Sequence, residues 1–320
     1  MRAFRIDSHD TTATLQDVEA PRPAAGEIGL QIHACGLNFA DLLMLKGEYQ
    51  DTPDTPFTLG MEVAGTVEAL GDGVEGPAIG SRVAVFGGQG GLAERGCFPA
   101  DRAVVLPDQM SFTDAAAFQI AYGTSHVGLD HKARLQPGET LLVLGAAGGV
   151  GLTAVEIGKL MGATVIACAR GADKLEVARK AGADHLIDAE TEDIREACRA
   201  LGGVDVVYDP VGGDQFKSAM RACRPEARIL TIGFASGEVP KIPANHLLVK
   251  NISVLGLYWG GYLAFRPQVV TDSLAQLFAW YADGRLKPHV SHILPLQKAQ
   301  EGLDLMRARK STGKVVITTG

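Results

Sequence analysis

The chain has 320 residues, of which 46% are apolar and 21% charged, a composition that builds packed cores and excludes both a disordered chain and a disulfide-stapled mini-protein. At about 150 residues per domain this length predicts two domains. Lys plus Arg number 30 against 37 Asp plus Glu, a net charge of -7, which repels phosphate backbones and anionic bilayers and disfavours general nucleic-acid or membrane-surface binding.

The uncharged stretches 141–155 and 251–265 are broken by glycines and fall short of the roughly 20 residues of a bilayer span, so no membrane segment is expected. Arg2, Arg5 and Asp7 put charge where a secretion signal needs an apolar run. That points to a cytoplasmic protein. Cys35, Cys97, Cys168, Cys198 and Cys223 are odd in number and scattered, which suits a reducing compartment and argues against disulfides and a structural zinc knot.

Up to about residue 107 the chain alternates short β-branched segments, 28–34, 62–70, 82–86 and 103–106, with Pro and Gly breakers. This reads as a barrel-like all-β module. After Pro137 and Gly138 the pattern changes: a continuous apolar run, 141–144, leads into a glycine cluster and then into Val150, Ala154, Ile157 and Met161 at helical spacing. The strand-turn-helix unit repeats through strands 163–167, 185–187, 204–208, 229–232 and 253–257, with helices 173–181 and 191–201 between them. Fully apolar strands alternating with helices predict a doubly wound parallel sheet covered on both faces. Beyond Phe265 come an amphipathic helix with Leu274, Leu277, Phe278 and Tyr281 on one face, a segment 289–294, a helix near 298–309 and a closing strand 315–317. A tail that ends in a strand can rejoin the N-terminal module and make that domain discontinuous.

The run Gly145, Ala146, Ala147, Gly148, Gly149, Val150 and Gly151 follows an apolar strand and opens a helix, the context that makes a glycine pattern a dinucleotide fingerprint. Gly148 and Gly149 let backbone approach a pyrophosphate, Gly151 lets the helix pack on the strand, and the helix N-terminus offers free N–H groups to the phosphates. The end of the second strand reads Cys168, Ala169, Arg170. An enzyme for NAD usually has a carboxylate there for the ribose 2′-hydroxyl. With Arg170 and then Lys174 in its place, a 2′-phosphate is favoured, so the expected cofactor is NADPH.

Longer motifs then carry a resemblance. Ala34 to Asp41 followed by Lys46 to Tyr49 resembles N-F-x-D…x-G-x-Y, Gly60 to Gly65 stands where zinc-dependent relatives have G-H-E, and Ala146 to Gly151 reads A-A-G-G-V-G. Val204 to Gly212 resembles V-D-V-V-x-D-x-V-G, and Gly313 to Ile317 resembles a closing strand. Over essentially its full length the chain resembles the zinc-independent quinone oxidoreductase, or zeta-crystallin-like, branch of the medium-chain dehydrogenase/reductase superfamily.

The resemblance implies an α/β protein with a GroES-like β-rich catalytic domain, 1–122 plus 263–320, and a Rossmann NADP(H)-binding domain, 123–262. It implies no metal, since the zinc ligands of relatives fall at Asn38 and Met61, the region 115–121 has no Cys, and 86–99 holds only Cys97. An amide and a thioether do not replace thiolate and imidazole on Zn²⁺. The candidate catalytic residues are Asn38, Asp41, Tyr49 and Tyr122; Asp41 fits equally a role in fixing the Asn38 loop. The cofactor-binding set is Thr124, Ala147, Gly148, Gly149, Val150, Arg170, Gly171, Lys174, Gly212, Gly233, Phe234, Leu257 and Tyr258. Two departures stand out: Leu43 where many members carry Tyr, and Ala189 where they often carry Tyr or His beside the adenosine phosphate.

The implied activity is NADPH-dependent reduction of quinones or related α,β-unsaturated carbonyls by hydride transfer. An enoyl or 2-alkenal double-bond reductase and a low-turnover NADPH-binding sensor are the alternatives. The strand 253–257 would be an exposed apolar edge in a monomer, which predicts a homodimer paired through it.

Overall fold

The computed structural model describes all residues except Asp10, Thr11 and Gly320. The chain divides into two compact units, Met1–Ile120 with Pro288–Gly320, and Ala121–Lys287.

The first unit opens with β1 (Arg2–Ile6) and β2 (Thr14–Asp17), followed by β3 (Glu27–Gly36), the short helix α1 (Phe39–Met44) and β4 (Phe57–Thr58). After them come β5 (Glu62–Leu70), β6 (Arg82–Phe86), β7 (Arg95–Pro99), β8 (Ala103–Val105) and α2 (Phe112–Ala116). Strands β5 and β6 lie where the alternation of β-branched residues placed them. The all-β expectation up to about residue 107 needs amending, because α1 interrupts it, and α2 follows just beyond; each starts at a polar N-cap, Asn38 or Ser111, and Ser111 Oγ accepts the Asp114 N–H.

The second unit begins within α3 (Gln119–His126) and holds β9 (Thr140–Leu144), α4 (Gly149–Leu160), β10 (Thr164–Ala169), α5 (Ala172–Lys180), β11 (His185–Asp188) and α6 (Ile194–Ala200). It continues through β12 (Val204–Asp209), α7 (Gly213–Ala222), β13 (Cys223–Thr231), α8 (Ala244–Lys250), β14 (Ser253–Gly256), α9 (Tyr262–Phe265) and α10 (Pro267–Ala282). All pairings among its strands are parallel, in the order β11-β10-β9-β12-β13-β14. Every residue of β9 is buried, as a central strand covered on both faces requires. Leu142, Leu144, Ile166, Val207, Phe216 and Ile229 form the core of one face. The order reverses between β9 and β12, the topological switch point at which open α/β sheets bind ligands.

Strand β13 starts six residues before its expected position: Arg224, Glu226 and Arg228 interrupt the apolar run, and an irregularity with Glu226 at φ +64° separates its pairing at Cys223 from that at Arg228. The chain then returns to the first unit as β15 (Val290–Pro295), α11 (Ala299–Arg307) and β16 (Lys314–Thr318). Strand β16 pairs antiparallel with β3, Ile317 opposite Cys35. Closure of the first sheet thus joins residues about 280 positions apart.

The second crossing point differs from the expected 262/263 boundary. Residues 263–287 belong to the second unit because α10 packs there, its Ser273 Oγ 2.8 Å from His126 Nδ1, and because the Lys287 N–H donates to Glu156 at 2.7 Å. Periodicity shows that α10 is an amphipathic helix; it does not show which core its face covers. No described helix is long and apolar enough to cross a membrane.

Candidate active site

In the second unit, β9 ends at Gly145, whose φ is +59°, and the chain turns back under a Gly148 N–H to Gly145 carbonyl bond of 2.9 Å. Gly148 is the extended N-cap of α4 and offers no side chain to the first-turn N–H groups. Those donors and the positive end of the helix dipole remain available to an anion. A Cβ at Gly151 would lie 2.2 Å from the Gly145 oxygen, whereas one at Gly148 would meet only that oxygen, at 3.3 Å. Gly151 therefore serves helix-strand packing, and Gly148 leaves a cradle that a side chain would fill. Ser125 Oγ, Thr153 Oγ1 and Tyr208 OH form a buried hydroxyl cluster in this unit, and Ser125 donates to the Val150 carbonyl at 2.9 Å.

The other expected cofactor residues lie at the carboxyl ends of the same sheet. Arg170 is exposed after β10, and Gly171, with φ +78°, caps α5, whose first turn carries Lys174. The Gly171 N–H donates to Asp188 at 3.1 Å; hydrogen bonds from the Glu190 and Gly171 N–H groups hold the Asp188 carboxyl below its usual range. Gly212 follows β12, Gly233 and the partly exposed Phe234 follow β13, and Leu257 and Tyr258 follow β14. Thr124 and Ala147 are buried. One group went unassigned in the sequence reading although it lies inside the quoted β12 motif: Asp209, fully buried, accepts the Val211 and Gly212 N–H groups at 2.8 and 2.9 Å and so shapes the loop after β12. Burial raises its carboxyl above the ordinary value.

In the first unit, Asn38 caps α1 and its N–H donates to Asp41 Oδ2 at 2.7 Å, while Asp41 Oδ1 accepts the Gly60 N–H at 3.3 Å. Asp41 has no exposed surface. Burial pushes its carboxyl up to about 6, against the opposing pull of those N–H donors and Lys314. Asn38 Nδ2 donates to Glu62 Oε1 at 3.0 Å and to the Gly36 carbonyl at 3.2 Å. Lys314 Nζ lies 2.7 Å from Asn38 Oδ1, Glu62 Oε1 and the Leu37 carbonyl alike, and Glu62 Oε2 accepts the Ile120 N–H.

Within this buried network both amide protons of Asn38 are engaged, by Glu62 and by the Gly36 carbonyl. Both Asp41 oxygens accept backbone N–H groups, from Asn38 and Gly60. Gln119 is 1% exposed, and among the described residues its Nε2 has no hydrogen-bond partner. It stands next to Ile120, whose N–H is held by Glu62, and no local motif marks it. Tyr49 is partly buried, and burial, followed by the Asp51 and Asp41 carboxylates, pushes its phenol up to about 12, so it keeps its proton at neutral pH.

Tyr122 belongs to the second unit and is buried, with its hydroxyl donating to Glu156 at 2.5 Å. The other Glu156 oxygen accepts the Lys287 N–H, so this carboxylate ties together the two ends of the unit. In that arrangement the Tyr122 hydroxyl proton is directed at Glu156. Leu43 is partly buried on α1.

The donor set does not fit zinc. Asn38 is consumed by its hydrogen bonds, Met61 is a buried thioether, and the Lys314 ammonium brings positive charge to the Asn38 oxygen. Among the described residues no group of three or more His, Cys, Asp or Glu is gathered as a metal ion needs.

A family model described as Alcohol dehydrogenase GroES-like domain matches residues 24–108, and one described as Zinc-binding dehydrogenase matches 149–279. A quinone oxidoreductase-like protein 2 homolog of Nematostella vectensis is 42% identical over 299 residues, 92% of this chain and 82% of that protein. The quinone oxidoreductase of Thermus thermophilus, solved also in complex with NADPH, is 32% identical with a TM-score of 0.88, over 99% of this chain and 100% of that one. Escherichia coli quinone oxidoreductase complexed with NADPH is 30% identical with a TM-score of 0.90, over 99% of each chain. Likeness of this extent in both units, together with the metal-incompatible donors at Asn38 and Met61, means that the chain belongs to the zinc-independent quinone oxidoreductase branch of the medium-chain dehydrogenase/reductase superfamily.

Proposed function

We propose that the protein is a cytosolic, NADPH-dependent reductase of quinones or related α,β-unsaturated carbonyls that works without metal. The observation that carries this reading is the bare cradle at Gly148, set at the switch point of the sheet with Arg170 rather than a carboxylate after the second strand. The residues there fit a dinucleotide. The N–H groups of Gly149 and Val150 at the start of α4 would hold its pyrophosphate, Arg170, Gly171 and Lys174 its 2′-phosphate, and Ala147, Gly212, Gly233, Phe234, Leu257, Tyr258 and Thr124 its remaining surface. When bound, NADPH supplies a hydride.

The first unit supplies polar groups for the acceptor. Tyr49 retains its O–H at neutral pH and Gln119 has an uncommitted amide N–H, so both are suited to donate to a carbonyl oxygen as negative charge builds on it. Asn38, Asp41, Glu62 and Lys314 keep the surrounding loops fixed. Conjugate addition of hydride to a quinone or enone needs such donors and no Lewis acid.

Steady-state oxidation of NADPH and NADH across benzoquinones, naphthoquinones, short enones and enals tests the reading. At least one acceptor is expected to turn over with NADPH favoured about tenfold or more in kcat/KM, and Arg170→Ala is expected to bring the two cofactors near parity. Saturable NADPH binding with no acceptor reduced would replace the enzyme by a sensor, and a preference for NADH would remove the role of Arg170.

Among the described residues strand β14 pairs on one side only, with β13, and it carries the half-buried Val254 and Leu255. We also propose that it pairs with its copy in a homodimer. Sedimentation at micromolar concentration is expected to give about twice the chain mass; a monomer contradicts the pairing.

A further inference from the structure

The amino ends of β12 and β13 border a cavity of about 650 Å³. Because β12 runs parallel to β9, this cavity lies at the end of the sheet opposite the Gly145–Gly151 turn. Its walls carry Arg195 and Arg199 from α6, Arg221 from the last turn of α7, Arg224 from the start of β13, and His246 and Lys250 from α8. No carboxylate lines it among the described residues. In a chain whose net charge is -7, such a concentration of positive charge is a local exception.

Structural duties account for part of it. Arg224 is paired with Asp205 at 2.7 Å, and Lys250 caps the Arg221 and Cys223 carbonyls at 3.0 and 2.9 Å. Arg195 and Arg199 share one carboxylate, Glu196, at the loose distances of 3.6 and 3.8 Å. Among the described residues the Arg221 guanidinium, on an exposed residue, has no hydrogen bond or ion pair. The C-terminal ends of α6, α7 and α8 each contribute about half a negative charge. Set against the five fixed cations together with Glu196 and Asp205, these leave an excess of roughly one to two positive charges. Met220 and Val249 add apolar surface to the wall.

We propose that this cavity is a second ligand site, separate from the dinucleotide turn, for a small molecule bearing a phosphate monoester. A monoester carries about two negative charges at neutral pH, which matches the excess. Guanidinium forks from Arg199 and Arg221 suit its oxygens better than point charges would. The volume falls within the ~300–1,000 Å³ of small-molecule pockets, so space remains for an organic body against Met220 and Val249.

Calorimetric titration of NADPH-saturated protein tests the site, since the saturating nucleotide keeps added phosphate away from the glycine turn. Phenyl phosphate is expected to bind saturably, about tenfold or more tightly than inorganic phosphate, and Arg221→Ala or Arg199→Gln is expected to weaken it by about tenfold or more. Arg179→Ala, which removes an exposed arginine paired with Glu176 on α5, is expected to leave binding unchanged. An unaltered NADPH Kd and circular dichroism spectrum show that each variant is folded; Arg221→Ala removes a side chain with no polar partner and is the variant least exposed to misfolding. The site is overturned by the absence of saturable binding to the wild type, by wild-type affinity in both cavity variants, or by equal weakening in Arg179→Ala, which would mean diffuse attraction. Inorganic phosphate binding as tightly as phenyl phosphate overturns the assignment to an ester.

Discussion

Lys314 brings an ammonium to within 2.7 Å of both Glu62 and Asn38 in a region where Lys314 is 5% and Glu62 1% exposed. Removing one member of a buried pair leaves the other charge uncompensated, at a cost of about 3–5 kcal/mol. Lys314→Met is therefore expected to lose that much in urea denaturation, with part recovered in the Glu62→Gln/Lys314→Met double variant. A single-variant loss under about 1 kcal/mol would mean that the pair does not organise this region. Asp41 gives a pH signature. Its carboxyl, raised from 3.8 to about 6, holds a proton in the folded state that the unfolded chain releases. Linkage then makes stability fall as pH rises from about 4 to 6, by up to about 3 kcal/mol, with little further change above 6. Asp41→Asn lacks this group, so the stability difference between wild type and variant is expected to shift against the wild type through that window; a constant difference, or one moving the other way, contradicts the buried assignment. Asn38 and Asp41 were readable as a local pair because they stand three positions apart. Lys314 and Gln119 were not, since Lys314 meets Asn38 across 276 positions and Gln119 stands in no motif.

At the scale of elements, the glycine turn was the most legible feature. A fully apolar β9 switching to the helical spacing of α4 marks it in sequence, and the space around each Cα divides its glycines by role. Gly151→Ala places a methyl 2.2 Å from a backbone oxygen and is expected to destabilise by at least about 1–3 kcal/mol. Gly148→Ala, at φ -79° and with its nearest atom 3.3 Å away, is expected to cost under about 1 kcal/mol in stability. Its effect falls on binding instead: filling the cradle should weaken NADPH about tenfold or more, a loss of about 1.4 kcal/mol or more. Thermal unfolding and fluorescence titration on both variants check the division, and the reverse pattern would refute it. Strand β13 and the small helices α1 and α2 were less legible. Charged residues along β13 mask its period, and helices of six and five residues are too short to show one.

For the whole molecule, alternating strands and helices identify a parallel-sheet unit, but the point where the chain leaves it depends on which core α10 joins. That choice rests on the contact of Ser273 with His126 and the tie from Lys287 to Glu156, both between residues more than 130 positions apart. Direct hydride delivery from NADPH to an organic acceptor, in a protein whose Asn38 is held by hydrogen bonds and a buried lysine, predicts the outcome of one measurement: turnover of an enone with NADPH carrying deuterium at the transferring C4 position, using protein dialysed against a chelator and shown by elemental analysis to be free of metal. The expected result is undiminished turnover, a primary isotope effect on the hydride-transfer step in a single turnover, and deuterium on the β-carbon of the product. Activity that vanishes on metal removal and returns with zinc would contradict it.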